Sequence, residues 1–450
     1  MTMTSALCLF VCLQSVSASP STNPGPEMNP QAVQEVMSGK RTEATAAGWG
    51  FDRDDSTDFL QAAIKSGAKR LIVPKMKHDW VVRPIQLAGN QELVFEEGVV
   101  VAARRGSYRN GGDVMFTASN VENLTIRGEG ATLRMNKEDY IVGLVLKDLN
   151  WQRWFGQYTK AEWRSVLSLR GSRNVEVTGL TLRDSGGDGI YIDRLGKTPC
   201  RDIRIKNVVC DNNYRQGMSV IGVEGLIVEE SVFKNTWGTP PSAGVDIEPD
   251  DADHTLKNLV FRNCRFEDNY GDGIEVFLSH LQKKSEDISI LFENCHVSSR
   301  LGAGVRVTRC HDDGPGGLVE FKNCVIENTQ AYGIKLQEKG ADRARVRFIS
   351  CTLRNVARDR NYQGGWVPIW LHSSEPERVK QLGGFDFVDC TVEDDRDRPV
   401  IEFTEKLKGS GLFDITGTIR AKSAGKPLAK LGENLQRVTL SVQEQGSSAR

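Results

Sequence analysis

The sequence predicts an all-β solenoid, and three observations support this fold class. A heptapeptide centred on glycine or proline returns along the chain, apolar and polar residues alternate after each centre, and no helical periodicity separates the copies. Successive centres lie 28, 27, 29, 31, 29 and 35 residues apart; they are Gly189, Gly217, Gly244, Gly273, Gly304, Gly333 and Pro368. Near-fixed spacing in this range is typical of repeats that stack along one axis.

Each heptapeptide predicts a short strand with one buried face. Alternation with a period of two directs successive side chains to opposite faces of a strand. The expected inward positions are Ile190, Met218, Val245, Ile274, Val305 and Ile334. The intervening residues point outward, and stacking turns equivalent positions into columns that run along the solenoid.

A second motif places cysteines at one shared repeat position, and a polar residue follows at the next turn. Metal binding or disulfides would be one interpretation of the cysteines, but no Cys-x-x-Cys pair occurs, and small buried thiols suit a core column. The column contains Cys264, Cys295, Cys324, Cys351 and Cys390. Asn and Asp accept bent backbones, so a polar ladder is expected from Asp184, Asn212, Asn235, Asp268, Asn328 and Asn355.

Two or three short strands per repeat, without a long helix between them, indicate a β-helix. Residues 50–400 resemble the right-handed parallel β-helix, or pectin-lyase-like, superfamily. The segment 54–64, followed by apolar runs at 70–74, 84–87 and 93–101, resembles the N-terminal end of polygalacturonase-like proteins. The resemblance implies a single-stranded right-handed parallel β-helix with an N-terminal cap helix near residues 55–66.

The chain divides into four expected parts. An apolar run that ends at Ala18 predicts a signal peptide over residues 1–18 and hence a secreted, periplasmic or extracellular protein. We expect a flexible leader at 19–45, the β-helix at 46–400 and C-terminal strands that close the stack at 401–450. No other segment has the roughly 18 apolar residues of a membrane span.

Composition bears on partners. The 450 residues carry a formal net charge of −1 and are 39% hydrophobic. A near-zero charge argues against a nucleic-acid partner, and the content of apolar residues suffices for a large core. We expect a monomer without stable membrane insertion.

The middle coils gather acids in the outward columns. Asp246 and Glu275 occupy adjacent rungs, about 4.8 Å apart, and Glu248 lies about 6.6 Å further along the strand of Asp246. Arg306 and Lys335 follow on the next two rungs. Crowded carboxyl groups repel, so one can stay protonated and act as a general acid. The alternatives are a calcium site and a solvated face of charges that pair along the column.

Two inserts, at residues 151–163 and 236–243, add aromatic residues beside these columns. Aromatic rings offer large flat contact areas, which suit sugar rings; the alternative is that the first insert packs its aromatic residues on the coils. The predicted substrate-binding residues are Asp188, Asp193, Arg215, Trp237, Asp272, Trp154, Trp163 and Trp370.

The resemblance implies a polysaccharide substrate, and three functions remain open. The first is a glycoside hydrolase that uses Asp246, Glu248 and Glu275. The second is a lyase or epimerase of uronic acid polymers that uses Arg306, Lys335 or Arg215, with calcium as its expected cofactor; the hydrolase needs none. The third is a non-catalytic carbohydrate-binding β-helix. The chain lacks the Asn-Thr-Asp and Gly-His-Gly signatures of polygalacturonases, so no catalytic residue is carried over from them.

Overall fold

The computed structural model describes residues 28–141, 158, 161–360, 366–406, 409–423 and 426–444. Their helices are α1 (Pro30–Met37), a 3-10 turn (Ala46–Trp49) and α2 (Thr57–Ile64). Their strands are β1 (Glu43–Thr45), β2 (Arg70–Val73), β3 (Trp80–Val82), β4 (Ile85–Gln86), β5 (Gln91–Phe95), β6 (Val100–Ala103), β7 (Phe116–Ser119), β8 (Glu122–Arg127), β9 (Thr132–Arg134), β10 (Leu167–Arg170), β11 (Arg173–Thr178), β12 (Thr181–Arg183), β13 (Ile190–Asp193), β14 (Cys200–Lys206), β15 (Val209–Asp211), β16 (Met218–Val220), β17 (Val223–Glu229), β18 (Val232–Lys234), β19 (Val245–Ile247), β20 (Leu256–Arg262), β21 (Arg265–Asn269), β22 (Ile274–Phe277), β23 (Ile288–Glu293), β24 (His296–Ser299), β25 (Val305–Thr308), β26 (Gly317–Lys322), β27 (Val325–Thr329), β28 (Ile334–Gln337), β29 (Arg345–Ile349), β30 (Thr352–Arg354), β31 (Ile369–Ser373), β32 (Gln381–Asp394), β33 (Ile401–Glu405), β34 (Gly411–Ser423), β35 (Ala429–Lys430), β36 (Leu435–Val438) and β37 (Ser441–Glu444).

The middle of the chain winds into coils of three strands each. In one coil, β17 and β18 belong to a 25-stranded sheet, whereas β19 belongs to a second sheet of 12 strands. Each of these strands pairs in parallel with the equivalent strand of a neighbouring coil. The predicted all-β solenoid is therefore confirmed, and each heptapeptide forms the strand that the second sheet takes from its coil.

The core confirms the predicted inward positions. Ile190, Val245, Ile274 and Val305 are fully buried. A ladder of phenylalanines runs beside them through successive coils, with ring centroids 4.6, 5.0, 4.8 and 5.5 Å apart; it consists of Phe261, Phe292, Phe321, Phe348 and Phe387. The predicted cysteine column is also buried, and all its thiols are free. Stacked flat rings and small thiols fill a core whose repeat distance is the spacing between strands.

The corners carry the expected polar ladder. Asp184, Asn212, Asn328 and Asn355 all have positive φ angles near 50–56°, a conformation in which Asn and Asp are the favoured non-glycine residues. Asn212 Nδ2 donates to Asp184 Oδ1 at 2.7 Å, and Asn355 Nδ2 donates to Asn328 Oδ1 at 2.7 Å. These amides satisfy one another from coil to coil.

The N-terminal end is closed by the predicted cap helix. Helix α2 buries Leu60, Ala63 and Ile64, and the Thr57 N–H donates to Asp55 Oδ1 at 3.1 Å. This apolar face covers the first coil, where a solenoid otherwise exposes its core.

Strands begin before residue 46, and they continue after residue 400, where the sequence predicts C-terminal strands. Within the expected flexible leader, helix α1 begins after Asn29, whose Oδ1 accepts the Ala32 N–H at 2.9 Å, and β1 pairs with β2. The strands after residue 400 continue the parallel stack: β33 pairs with β31, and β34 pairs with β32. The predicted signal peptide at 1–18 lies outside the described residues. No described helix is long and apolar enough to cross a membrane.

Candidate functional site

Strand register brings the predicted charged column together. Asp246 of β19 lies opposite Glu275 of β22, and Glu275 lies opposite Arg306 of β25. Arg306 in turn lies opposite Lys335, and Lys335 opposite Trp370. Residues about 30 positions apart in sequence thus become direct neighbours along the second sheet.

The two central acids are buried, so they do not form the solvated face considered as an alternative. Asp246 is 1% exposed and Glu275 is 3% exposed. Their side chains point away from the hydrophobic core, yet neighbouring charged side chains lie against them. Arg215, Glu248 and Arg306 are the partly accessible members of the group.

Gln216 fixes the orientation of the Asp246 carboxyl group. The Gln216 Oε1 accepts the Ala243 N–H at 2.8 Å, and its Nε2 donates to Asp246 Oδ2 at 2.8 Å. Among the described residues, the buried Oδ1 of Asp246 has no hydrogen-bond partner. Burial, together with the Glu275 and Glu248 carboxyl groups, raises the pKa of Asp246 well above its ordinary value.

Glu275 forms the second half of this acid pair. Its Oε1 lies 2.9 Å from Arg306 Nη1, whereas its buried Oε2 has no hydrogen-bond partner within the described part of the chain. Burial raises the pKa of Glu275 to about 7, although Arg306 opposes that rise. Burial lowers the pKa of Lys335, and the nearby Arg306 lowers it further. The column therefore holds a carboxyl group that exchanges its proton near neutral pH.

Arg215 links the remaining acids. Its guanidinium lies 3.5 Å from Glu248 Oε2, 4.0 Å from Asp188 Oδ2 and 3.5 Å from Glu162 Oε2. Asp188 is fully buried, and burial raises its pKa to about 7 against the attraction of Arg215. Glu248 keeps a quarter of its side chain exposed, at 26%, and Glu162 is more exposed still, at 37%.

Two other predicted binding residues have structural partners. Asp272 Oδ1 accepts the Ala303 N–H at 2.6 Å, and its Oδ2 lies 3.7 Å from Arg306. Trp370 is buried and stacks between Tyr332 and His372, with ring centroids 4.5 and 4.3 Å away. Its burial contradicts the prediction of an open sugar platform, because both ring faces already have neighbours.

Asp193 belongs to a separate buried network. Its carboxylate contacts His254 Nε2 at 3.1 Å, Arg170 Nη2 at 3.2 Å and the Tyr191 hydroxyl at 3.3 Å. His254 Nδ1 accepts the Asp251 N–H at 3.1 Å, which leaves Nε2 to donate to Asp193. These contacts engage both carboxylate oxygens, so the predicted binding role of Asp193 has no open oxygen to support it.

The predicted aromatic residues do not surround the acids. Trp237 is 47% exposed and lines a different cleft, together with Tyr270 and Arg300. Trp163 is exposed and lies near Gly111, and Trp154 lies outside the described residues. The predicted position of Trp237, in a groove beside the acids, is therefore wrong. The turn that carries Trp237 places its ring in a cleft at the neighbouring corner.

Sequence reasoning missed two residues of the site, Gln216 and Glu162. Gln216 precedes its glycine in the column that also contains Asp188 and Asp272. An amide side chain in a column of acids could have indicated that Gln216 belongs to the site. Glu162 Oε1 accepts the Thr239 hydroxyl at 3.2 Å, so the end of one insert is tied to the other. No spacing rule relates residues 77 positions apart.

The cluster has the chemistry of an acid–base site. The acid pair can donate a proton, and Glu248, which forms a salt bridge with Arg215, can accept one. Across the described residues, no group of three or more His, Cys, Asp or Glu side chains is arranged to hold a metal ion.

Comparison with known proteins supports the architecture. A family model described as "Right handed beta helix region" matches residues 163–287 and 257–374. The chain is a right-handed parallel β-helix protein. The β-helix is 25% identical over 201 residues to the SPbeta prophage-derived protein YorA of Bacillus subtilis (strain 168), a segment that covers 41% of this chain and 32% of that protein. The match thus spans less than a third of the relative's own length.

Solved structures share the fold of this β-helix at low sequence identity. The A-module of the mannuronan C-5 epimerase AlgE6 from Azotobacter vinelandii superposes with a TM-score of 0.62 at 16% identity, over 88% of this chain and 98% of that chain. The family 28 exopolygalacturonase of Yersinia enterocolitica gives a TM-score of 0.52 at 13% identity, over 90% and 79% of the two chains. Identities this low establish the common fold only.

Proposed function

We propose that this β-helix is a polysaccharide-active enzyme, and that glycoside hydrolysis is the reaction its site supports best. The observation that carries the proposal is the contrast between the acid pair and Glu248. Asp246 and Glu275 are buried with raised pKa values, whereas Glu248 is partly exposed and paired with Arg215. Hydrolysis of a glycosidic bond requires one carboxyl group that donates a proton and a neighbouring carboxyl group that accepts one.

In the proposed reaction, Glu275 donates its proton to the glycosidic oxygen while the bond to the anomeric carbon breaks. Glu248 takes a proton from the attacking water, whose oxygen bonds to the anomeric carbon. Asp246 shares the acid's environment and helps to keep a proton in the pair. Because Arg306 lies against Glu275, its long side chain must swing aside when the substrate binds.

A second reaction, lysis or epimerisation of a uronic acid polymer, is favoured by the cations of the column. Arg306 and Arg215 can neutralise a substrate carboxylate, and burial lowers the pKa of Lys335, which favours the neutral amine that can accept a proton. Here a base removes the proton beside the carboxylate. A lyase then expels the glycosidic oxygen, and an epimerase returns a proton to the opposite face. Both relatives of similar fold act on uronate polymers by their names, which supports testing acidic polysaccharides first.

The products decide between these reactions. The protein is incubated with polygalacturonate, polymannuronate and xylan, and reducing ends, unsaturated sugars and exchange of solvent deuterium into the polymer are measured. New reducing ends without ultraviolet absorbance support hydrolysis. Absorbance of an unsaturated sugar supports a lyase, and deuterium exchange without cleavage supports an epimerase.

Asp246→Asn should remove the activity, and Asp253→Asn, which changes an exposed acid outside the cluster, should retain it. Wild-type turnover in the Asp246→Asn protein would contradict the proposed site. Binding of a polymer without any turnover would favour a non-catalytic carbohydrate-binding protein.

A further inference from the structure

An open cleft lies at a corner of the β-helix, apart from the acid column. Its volume is about 340 Å³, within the range of pockets that hold small ligands. It is lined by residues from five successive coils: Arg183, Asp211, Asn212, Asn235, Thr236, Trp237, Asp268, Tyr270 and Arg300. Four rung spacings of about 4.8 Å give it a length of roughly 19 Å along the axis, so its shape suits an extended ligand.

Two aromatic rings stand open in this cleft. Trp237 is 47% exposed and Tyr270 is 48% exposed, in a protein whose large apolar side chains are mostly buried. They come from consecutive coils, because the Tyr270 N–H donates to the Thr236 carbonyl at 2.8 Å. Exposed rings on adjacent rungs offer two stacking faces along one line.

Trp237 is held in position by groups on one side of its ring. The buried Lys137 ammonium lies 4.2 Å from the ring centroid, and Trp237 Nε1 donates to Asn212 Oδ1 at 2.9 Å. Lys137 Nζ also donates to the same Asn212 oxygen, at 3.1 Å. The ring is therefore a fixed platform with an accessible face, and a ligand that stacks on it loses little side-chain entropy.

The polar floor of the cleft is equally ordered. Asn235 Nδ2 donates to Asp211 Oδ1 at 2.8 Å, and Arg183 Nη2 lies 3.7 Å from Asp211 Oδ2. The lining combines two arginines with two aspartates, so it has no strong net charge. Planar amide, carboxylate and guanidinium groups in fixed positions can each bind neighbouring hydroxyl groups of a sugar.

The backbone at the cleft is already paired, which argues against an extended peptide. The Asn235 N–H donates to the Glu267 carbonyl at 3.1 Å, and the Trp237 N–H donates to the Asn213 carbonyl at 3.1 Å. A peptide strand that joins a sheet needs free backbone groups at an edge. Here a ligand meets side chains: open rings and hydroxyl-binding polar groups.

We propose that this corner cleft is an oligosaccharide-binding site in which pyranose rings stack on Trp237 and Tyr270. It goes beyond the proposed function, since the cleft contains neither the acid pair nor Glu248. A site of this kind would hold a polymer to the β-helix while a separate part of the protein acts on it.

The test is affinity electrophoresis in native gels that contain polygalacturonate, polymannuronate or xylan. All proteins carry Asp246→Asn, so that binding is read without cleavage. We expect at least one polymer to retard the parent protein, and Trp237→Ala and Tyr270→Ala each to weaken that binding about tenfold or more. Leu435→Ala, which removes an exposed apolar side chain outside the cleft, should leave it unchanged.

Circular dichroism and thermal melts establish that each variant is folded, and Tyr270→Ala serves if Trp237→Ala does not fold. The proposal is overturned if none of the three polymers retards the protein, or if the Leu435 and Trp237 variants weaken binding equally. Loss of turnover is measured separately, in proteins with Asp246 intact. Failure of the catalytic proposal therefore leaves the result on the cleft readable.

Discussion

The Gln216 amide determines which oxygen of Asp246 can carry a proton. Because Gln216 Oε1 accepts the Ala243 N–H, its Nε2 must be the atom that faces Asp246 Oδ2. Oδ2 is thus an acceptor, and the proton of a neutral Asp246 belongs on Oδ1. That oxygen has no other partner among the described residues.

Replacing Gln216 with leucine should therefore affect both stability and catalysis. The Ala243 N–H and Asp246 Oδ2 would lose their partners in a buried site, at a cost of about 1–3 kcal/mol in the free energy of unfolding. Turnover should fall and its pH profile should move, because the Asp246 carboxyl group is no longer oriented. Urea unfolding and pH–rate profiles measure the two effects. Gln282→Leu, at an exposed position, is the control; an unmoved profile in Gln216→Leu would refute the orienting role.

The activity should depend on protonated Glu275. With a pKa of about 7, this acid loses its proton as the pH rises through neutrality, so turnover should decline there. Glu275→Gln should lower turnover about a hundredfold or more. Since Arg306 lowers the pKa of Glu275, Arg306→Met should shift the declining limb to higher pH. Arg204→Met on the exposed surface should not, and a limb that stays in place in Arg306→Met would contradict the assignment.

The stability of the fold should also carry the signature of the buried acids. Asp188 has a raised pKa of about 7, so between its unfolded pKa and that value the folded state binds more protons than the unfolded state. The free energy of unfolding contributed by this group then falls as pH rises through that window. Asp188→Asn should remove this dependence, with a difference on the order of a few kcal/mol between pH 5 and 8. Urea titrations at both pH values test it, and parallel curves for wild type and Asp188→Asn would count against it.

The phenylalanine ladder should be a major source of stability. Phe321 is fully buried between Phe292 and Phe348. Phe321→Ala removes both stacking contacts and leaves a cavity, which should cost about 3–5 kcal/mol. Val388→Ala, at a position with 39% exposure, should cost little. Chemical denaturation compares the two variants. Equal losses in the free energy of unfolding would contradict a major contribution of the ladder to stability.

The cysteine column should stay reduced. Its members lie in a core where each thiol contacts a backbone carbonyl, as Cys324 Sγ does with the Phe292 carbonyl at 3.4 Å. The number of thiols that react in denaturant should therefore not rise after treatment with a reductant. A clear rise would reveal disulfides and contradict the buried free column.

The fold could be predicted from the sequence because each repeat contains its own alternation of apolar and polar residues, which determines the register of its strand. The alternation around Val245 and Ile274 predicted which side chains enter the core, and the same register correctly stacked Asp246, Glu275, Arg306 and Lys335. Burial of the acids could not be foreseen, since Gln216 and Arg215, the neighbours of Asp246, come from the turn before their strand. The predicted position of Trp237 was wrong for the same reason. The length of an insert does not indicate where its side chains lie, and the Trp237 ring packs on Lys137 at another corner.

Stacked rings elsewhere in the core have a consequence for the acids. Phe233 and Phe266 stack at 5.4 Å between the coils that carry Asp246 and Glu275, and backbone ladders join the same coils. The rise between these coils is thus set by the core, which keeps the backbones that carry the two carboxyl groups one strand spacing apart. The repulsion between them is relieved by the pairing of Glu275 with Arg306 and by uptake of a proton. By fixing this spacing, the rigid apolar interior helps a carboxyl group to stay protonated at a pH at which an exposed carboxyl group would ionise.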